Sequence, residues 1–187
     1  LVIINLPPNI TTLCGDGFRN CSSLTEIFIP KTLETCGSDS FLNSGLSKAE
    51  FEYGMTIIPN NVCNGANSVI HVALPETVVE IGSSAFSDCS SLEYIKIPDR
   101  VITIGNSAFY DCTSLKEISL PDSVTSMGTY IFYSCTSLEK AKLPNTITAL
   151  PSDTFDGCSS LIDIELPNTI TSIGSDVFKG CSSLKSI

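Results

Sequence analysis

Hydrophobic and polar positions recur along this chain with a period of 23 residues. Five phenylalanines mark the period, and each is followed by a cysteine three residues later and by a leucine three residues after that. Repetition at constant spacing is the signature of a solenoid, in which each unit buries its apolar face against its neighbours. The five positions are Phe86, Phe109, Phe132, Phe155 and Phe178.

Each unit contains a short segment with the alternation expected of a half-buried strand. Ile118 and Leu120 alternate with polar residues, and Pro121 then ends the strand because proline cannot donate to a ladder. An apolar pair and a turn residue such as Gly174 follow. With one strand per unit and no hairpin signal, we expect successive strands to pair in parallel in a right-handed coil.

The unit resembles the BspA-like, or treponemal-type, leucine-rich repeat over essentially the whole chain. That resemblance implies an α/β-type repeat solenoid, a right-handed superhelix with a concave parallel β-sheet and an irregular or 3₁₀ convex side. Members are commonly modules of cell-surface or secreted proteins and are often implicated in adhesion. We expect one domain over residues 1–187 with about eight units. Because neither end carries a polar capping unit, we also expect a fragment of a longer array.

The repeat is degenerate between residues 41 and 68. One residue is missing before Leu46, and Cys63 occupies the phenylalanine position. We assign Asn43 to the cysteine position, where a buried amide would bond to the neighbouring backbone.

The nine cysteines raise the possibilities of a metal site or a disulfide framework. The absence of any C-x-x-C pair argues against zinc. Equivalent residues of stacked coils lie about 4.7–4.9 Å apart with parallel side chains, whereas a disulfide needs Cβ atoms about 3.5–4.5 Å apart. We therefore expect free, buried thiols and no cofactor.

Catalytic and nucleic-acid-binding patterns are missing from the sequence. His71 is the single histidine, and neither a serine nucleophile elbow nor a glycine-rich phosphate loop occurs. The net charge of -10 disfavours nucleic acid as a partner, and no apolar run is long enough for membrane insertion. We expect no enzyme. Asn9 and Asn20 begin N-glycosylation sequons, which matter only in a secreted eukaryotic protein.

The outward-facing strand positions vary in residue type, whereas the core positions are monotonous. Solenoids commonly bind through this face, and exposed aromatic residues anchor interfaces. We expect the chain to bind a protein, or a glycan, through the concave face as part of a cell-surface or secreted protein. A structural spacer without a ligand is the alternative. The candidate binding residues are Phe28, His71, Tyr94, Lys96, Lys140 and Lys142.

Overall fold

Short parallel strands form a ladder along one side of the solenoid. The computed structural model describes residues 2–187. Register partners lie one repeat apart, so that Glu117 pairs with Lys140 and Ser119 pairs with Lys142. The predicted parallel pairing is thus confirmed. The strands of this first ladder are Val2–Asn5, Leu24–Ile29, Lys48–Phe51, His71–Ala73, Glu117–Ser119 and Lys140–Lys142.

A second ladder of two-residue strands runs along another side, so the prediction of one strand per unit is wrong. These strands form at the second apolar pair of each unit, where Thr103 pairs with both Glu80 and Ser126. Two residues are too few to show the alternation by which a strand is recognised in a sequence. The strands are Thr12–Leu13, Thr35–Cys36, Ile57–Ile58, Glu80–Ile81, Thr103–Ile104, Ser126–Met127, Ala149–Leu150 and Ser172–Ile173.

The remaining side, called here the turn face, consists of the turns around each residue at the phenylalanine position. Residues 2–187 contain no α-helix and no 3₁₀-helix, so the α/β and 3₁₀ parts of the fold prediction are not confirmed. Ser107 and Asp111 on either side of Phe109 have φ of 55° and 55°, and such left-handed residues interrupt a helix. The amide of Phe109 instead donates to Ile131 of the next coil over 3.0 Å.

The phenylalanine column forms the centre of the core, as the repeat predicts. The rings of Phe86, Phe109, Phe132 and Phe155 stack with centroids 5.5–5.6 Å apart, and none of the four is exposed to solvent. Offset stacking of this kind is a favourable ring geometry. The column therefore ties each coil to the next.

The degenerate unit repairs its core with a larger residue from the strand side. Cys63 leaves space at the phenylalanine position, and Phe51 packs edge-on against Phe86 with centroids 6.4 Å apart at 81°. The core therefore stays filled although the column of rings is interrupted.

The assignment of Asn43 to the cysteine position is wrong, because the missing residue falls after Ser44. Ser44 is buried at that position, while Asn43 is exposed. The Asn43 amide donates to Oδ1 of Asn20 over 3.4 Å, and its own oxygen accepts from Asn67 over 3.3 Å. Asn43 thus belongs to a surface column of amides.

Candidate interaction surface

The outward side of the first ladder, called the strand face from here on, carries all six candidate residues. The alternation along each strand places them there, as in Lys140–Lys142, whose central alanine is buried between two exposed lysines. Tyr94 is 57% exposed. Phe28 is half-buried, while His71, Lys96, Lys140 and Lys142 are exposed.

A groove of about 720 Å³ on the strand face brings four of the six candidates together. Tyr94, Lys96, Lys140 and Lys142 line it, with Glu117 and Asp163 among their neighbours. Phe28 and His71 do not line this groove. The sequence could place the four residues on one face, but it gave no signal for the depression between them.

The groove lies where the first ladder is interrupted. Tyr94–Ile97 forms no strand, and among the described residues its backbone makes no hydrogen bond to another backbone group. The adjacent bond from the Lys116 amide to the Glu93 carbonyl remains at 3.1 Å. The second ladder runs through the same coil without a break. The interruption therefore belongs to the strand face, where it leaves peptide groups unpaired beside the groove.

The charges around the groove are of both signs, but two of its lysines are unpaired. Nζ of Lys96 lies 2.6 Å from Oε1 of Glu76, and this hydrogen bond raises the pKa of Lys96. Lys140 and Lys142 form no ion pair with any described residue. The backbone of Lys140 is in register with Glu117 on one side and with Asp163 on the other, but its amino group forms an ion pair with neither carboxylate. The two unpaired lysines can therefore contact a carboxylate of a partner.

The cysteines at the repeat position from Cys89 to Cys181 form a column in the core, and Cys181 at its end is partly exposed. All nine are free thiols and six are buried, whereas Cys14 and Cys21 are exposed and depart from the expectation of burial. Burial raises the pKa of Cys89 and Cys135 well above the ordinary thiol value. Among residues 2–187, no three His, Cys, Asp or Glu side chains converge in the manner of metal ligands.

Thiols of this column donate to the carbonyl at the phenylalanine position of the coil before. Geometry of this kind gives each carbonyl a weak donor and explains why a small apolar residue with a hydrogen-bonding group recurs there. The bonds run from Cys89 to Cys63 over 3.3 Å, from Cys112 to Phe86 over 3.1 Å, from Cys135 to Phe109 over 3.2 Å, from Cys158 to Phe132 over 3.1 Å and from Cys181 to Phe155 over 3.1 Å.

Comparison with known protein families identifies the family of the chain from its repeat. The profile of the BspA type leucine rich repeat region matches residues 1–112 and 79–187, in six copies. The chain belongs to this family. Leucine-rich repeats of the BspA type are generally protein-interaction modules without catalytic activity. No curated protein matches the chain significantly.

Solved structures of bacterial leucine-rich repeat proteins share the fold. A leucine-rich repeat protein of T. pallidum is 28% identical, with a TM-score of 0.72 over 98% of this BspA-type chain and 78% of that one. One from Bacteroides ovatus is 23% identical, with a TM-score of 0.52 over 100% and 74% of the two chains. The pneumococcal vaccine antigen PcpA is 16% identical, with a TM-score of 0.62 over 98% of this chain and 60% of its own.

The residues described by the structure include no helix long and apolar enough to cross a membrane.

Proposed function

We propose that this BspA-type chain is a non-catalytic protein-binding module of a cell-surface or secreted protein, and that it binds through the strand face, the concave side of the expected superhelix. The observation that carries the proposal is the groove at Tyr94, where an exposed ring and two unpaired lysines lie beside an interrupted ladder. The family resemblance supports an adhesive role and a surface location.

Tyr94 supplies the anchor of the proposed interface. A tyrosine offers a rigid apolar ring with one polar tip at a low entropic cost, and such residues carry much of the binding energy of interfaces. Its ring stands 57% exposed at the edge of the groove. A partner segment that packs against this ring also reaches the unpaired peptide groups of Tyr94–Ile97.

Lys140 and Lys142 set the preferred charge of the partner. Both are exposed and form no ion pair with a described residue, so an acidic group gains their attraction without first breaking an ion pair within the chain. Attraction between exposed charges speeds encounter and is screened by salt. The partner is therefore proposed to be a protein with an acidic contact segment, or a glycan of the same charge, and binding should weaken as salt rises.

The test is a variant in which the groove residues are removed together. A partner is first captured from host cell-surface extract or matrix proteins on the immobilised chain. The variant Tyr94→Ala, Lys140→Ala, Lys142→Ala should then bind it at least tenfold more weakly, which corresponds to about 1.4 kcal/mol. Its stability should change by no more than about 0.5 kcal/mol per site, because surface substitutions away from packed features are usually mild.

A matched control removes the same residue types outside the groove. Tyr53, Arg100 and Lys185 are exposed and do not line the groove, and their triple replacement by alanine deletes one ring and two positive charges as well. This control should keep full affinity. Equal loss in both variants would contradict binding at the groove, and a chain that captures no partner at all would favour the structural spacer instead.

A further inference from the structure

Three tyrosines cluster on the turn face, on a different side of the coil from the groove. The rings of Tyr110 and Tyr133 stack with centroids 4.8 Å apart and planes inclined by 4°. Tyr130 lies against Tyr133 with centroids 5.8 Å apart at 57°, and it is 41% exposed. Elsewhere the same turns present mainly small or charged side chains, so these rings form a local aromatic surface.

Tyr130 occupies a backbone position that does not suit it. Its φ is 58°, in the left-handed region where bulky residues are outliers and small polar residues are tolerated. Seven other coils have the same conformation at the equivalent position, and all seven carry aspartate, asparagine or serine there: Asp16, Asp39, Asn61, Ser84, Ser107, Asp153 and Asp176. A tyrosine at this point therefore costs local stability, and packing of the coil does not demand it.

Carboxylates surround the cluster with few cations to neutralise them. Asp153 occupies the position equivalent to Tyr130 in the next coil, and Asp176 occupies it in the coil after that. The Asp153 carboxylate is the main cause of a raised pKa of the Tyr130 phenol. Asp88 and Asp111 lie beside Tyr110. Asp88, Asp111 and Asp153 form no ion pair with any described residue.

One lysine, Lys179, lies beside this acidic surface, and two aspartates share its positive charge. Nζ of Lys179 lies 3.3 Å from Oδ2 of Asp156 and 3.7 Å from Oδ2 of Asp176. Burial, followed by the charge of Asp88, raises the pKa of Asp111. The carboxylates thus repel one another across neighbouring coils, and a cation placed between them would relieve that repulsion.

We propose that the surface formed by Tyr110, Tyr130 and Tyr133 with its flanking aspartates binds an arginine-bearing segment of a partner protein. A guanidinium stacks on an aromatic face and donates paired hydrogen bonds to carboxylates, so both parts of the surface engage the same group. A neutral sugar could stack on the rings but would gain nothing from the surplus negative charge. The site is independent of the groove on the strand face.

The experiment uses a capped hexa-arginine peptide as the probe. The chain has no tryptophan, so its five tyrosines dominate its intrinsic fluorescence, and three of the five belong to the cluster. Tyr130→Asn introduces the residue found at the equivalent Asn61 and leaves the net charge unchanged. We expect the affinity of this variant to fall by about fivefold or more. Its Tm should stay within about 2 °C of the original chain, because the substitution relieves strain while losing one ring contact.

A pair of charge variants separates a built site from general attraction to an acidic protein. Asp153→Asn should also weaken hexa-arginine binding by about fivefold, because it removes an unpaired carboxylate beside Tyr130. Glu80→Gln makes the same change of charge on the exposed side of the second ladder and should alter affinity less than about twofold.

The proposal fails on any of four outcomes. Unchanged affinity of Tyr130→Asn would show that only charge attracts the peptide. An equal loss in Asp153→Asn and Glu80→Gln would show the same. Binding of a neutral oligosaccharide that is lost in Tyr130→Asn, without binding of hexa-arginine, would assign the surface to a glycan. A large loss of Tm in Tyr130→Asn would make the tyrosine structural.

Discussion

At the scale of single residues, the cysteine position shows how a repeat chooses its side chains. The site is small and buried, and it faces a carbonyl of the preceding coil, as the 3.1 Å contact from Cys112 to Phe86 illustrates. Cysteine fills the volume and offers a weak donor, whereas Ala66 and Ser44 satisfy only part of these demands. The sequence predicted free thiols from their common register, and the structure agrees for the buried members.

The buried thiols predict a loss of stability in alkaline solution. Burial raises the pKa of Cys89, Cys112, Cys135 and Cys158 above that of an exposed thiol, which is about 8.5. Above that pH the thiols of the unfolded chain release protons that the folded chain retains. The contribution of the thiols to the free energy of unfolding is therefore completely present below about pH 8, and the free energy of unfolding falls as the pH rises further. Each shielded thiol should contribute about 1.4 kcal/mol per pH unit. Urea unfolding at pH 7.5, 9 and 10 measures the slope.

Two single variants isolate the thiol contribution from that of other alkaline groups. Cys112→Ala removes a buried thiol and should flatten the slope between pH 9 and 10 by about 1.4 kcal/mol per unit. Cys14→Ala removes a thiol that is exposed in the folded chain and serves as the matched control. Identical slopes in all three chains would show that the column does not shield its thiols.

The limits of residue-level prediction are clearest in the degenerate unit. Phe86 and Phe109 could be assigned to the core because a regular period fixes their register. Asn43 could not be placed correctly, because a deletion of one residue can be put on either side of it. Packing decides the matter: Ser44 fits the buried position, and Asn43 joins the exposed amides of Asn20 and Asn67.

At the scale of the elements, the close approach of one second-ladder turn to its neighbour requires glycine at position 105. A Cβ on Gly105 would lie 2.5 Å from the amide nitrogen of Ser83 and 2.8 Å from the carbonyl carbon of Gly82. Both neighbours are backbone atoms of the adjacent coil and cannot move without disturbing the ladder. The sequence identified the glycine as a turn residue, but the reason for it is contact between coils.

Gly105→Ala should therefore destabilise the fold by about 1–3 kcal/mol, the usual cost of forcing an extra group into a packed site. Thermal or urea unfolding measures this directly. Ser126→Ala, on the exposed side of the same ladder, serves as the control and should change stability by less than about 0.5 kcal/mol. If both substitutions were equally mild, the coils would not be as close as the glycine geometry requires.

The strands of the first ladder could be predicted from the sequence, whereas those of the second ladder could not. Ile118 and Leu120 alternate with polar residues over enough positions to predict a strand of the first ladder. Thr103–Ile104 adopts its strand only because neighbouring coils supply the hydrogen-bonding partners. Pairing between coils is a tertiary property, so short strands of this kind cannot be read from local alternation.

At the scale of the whole molecule, three faces share one core and have different surface chemistry. The strand face carries the groove with Tyr94 and two unpaired lysines, and the turn face carries the tyrosine cluster with its carboxylates. The sequence placed Tyr94, Lys140 and Lys142 on one face through alternation alone. It did not predict the groove, because that depends on where the first ladder is interrupted.

The tyrosine cluster was missed for a related reason. Tyr110 and Tyr133 share a column that only the folded repeat makes visible. Tyr130 differs from its equivalents in a way that matters only once the backbone conformation of that position is known. A comparison of turn positions across the units would have shown one tyrosine among aspartates, asparagines and serines, and this is the signal that could have identified it.

Hydrogen exchange tests the central claim, binding through the strand face, most directly. The amides of Tyr94–Ile97 have no backbone partner among the described residues, so they should exchange quickly in the free chain. The measurement is repeated with a bound partner, chosen because the original chain captures it and the groove variant does not. In this complex, exchange should slow across residues 92–98 and at the flanking strands Glu117–Ser119 and Lys140–Lys142. The second-ladder strand Thr103–Ile104 should exchange as before. Protection confined to the second ladder or to the turn face, with residues 92–98 unchanged, would contradict the account.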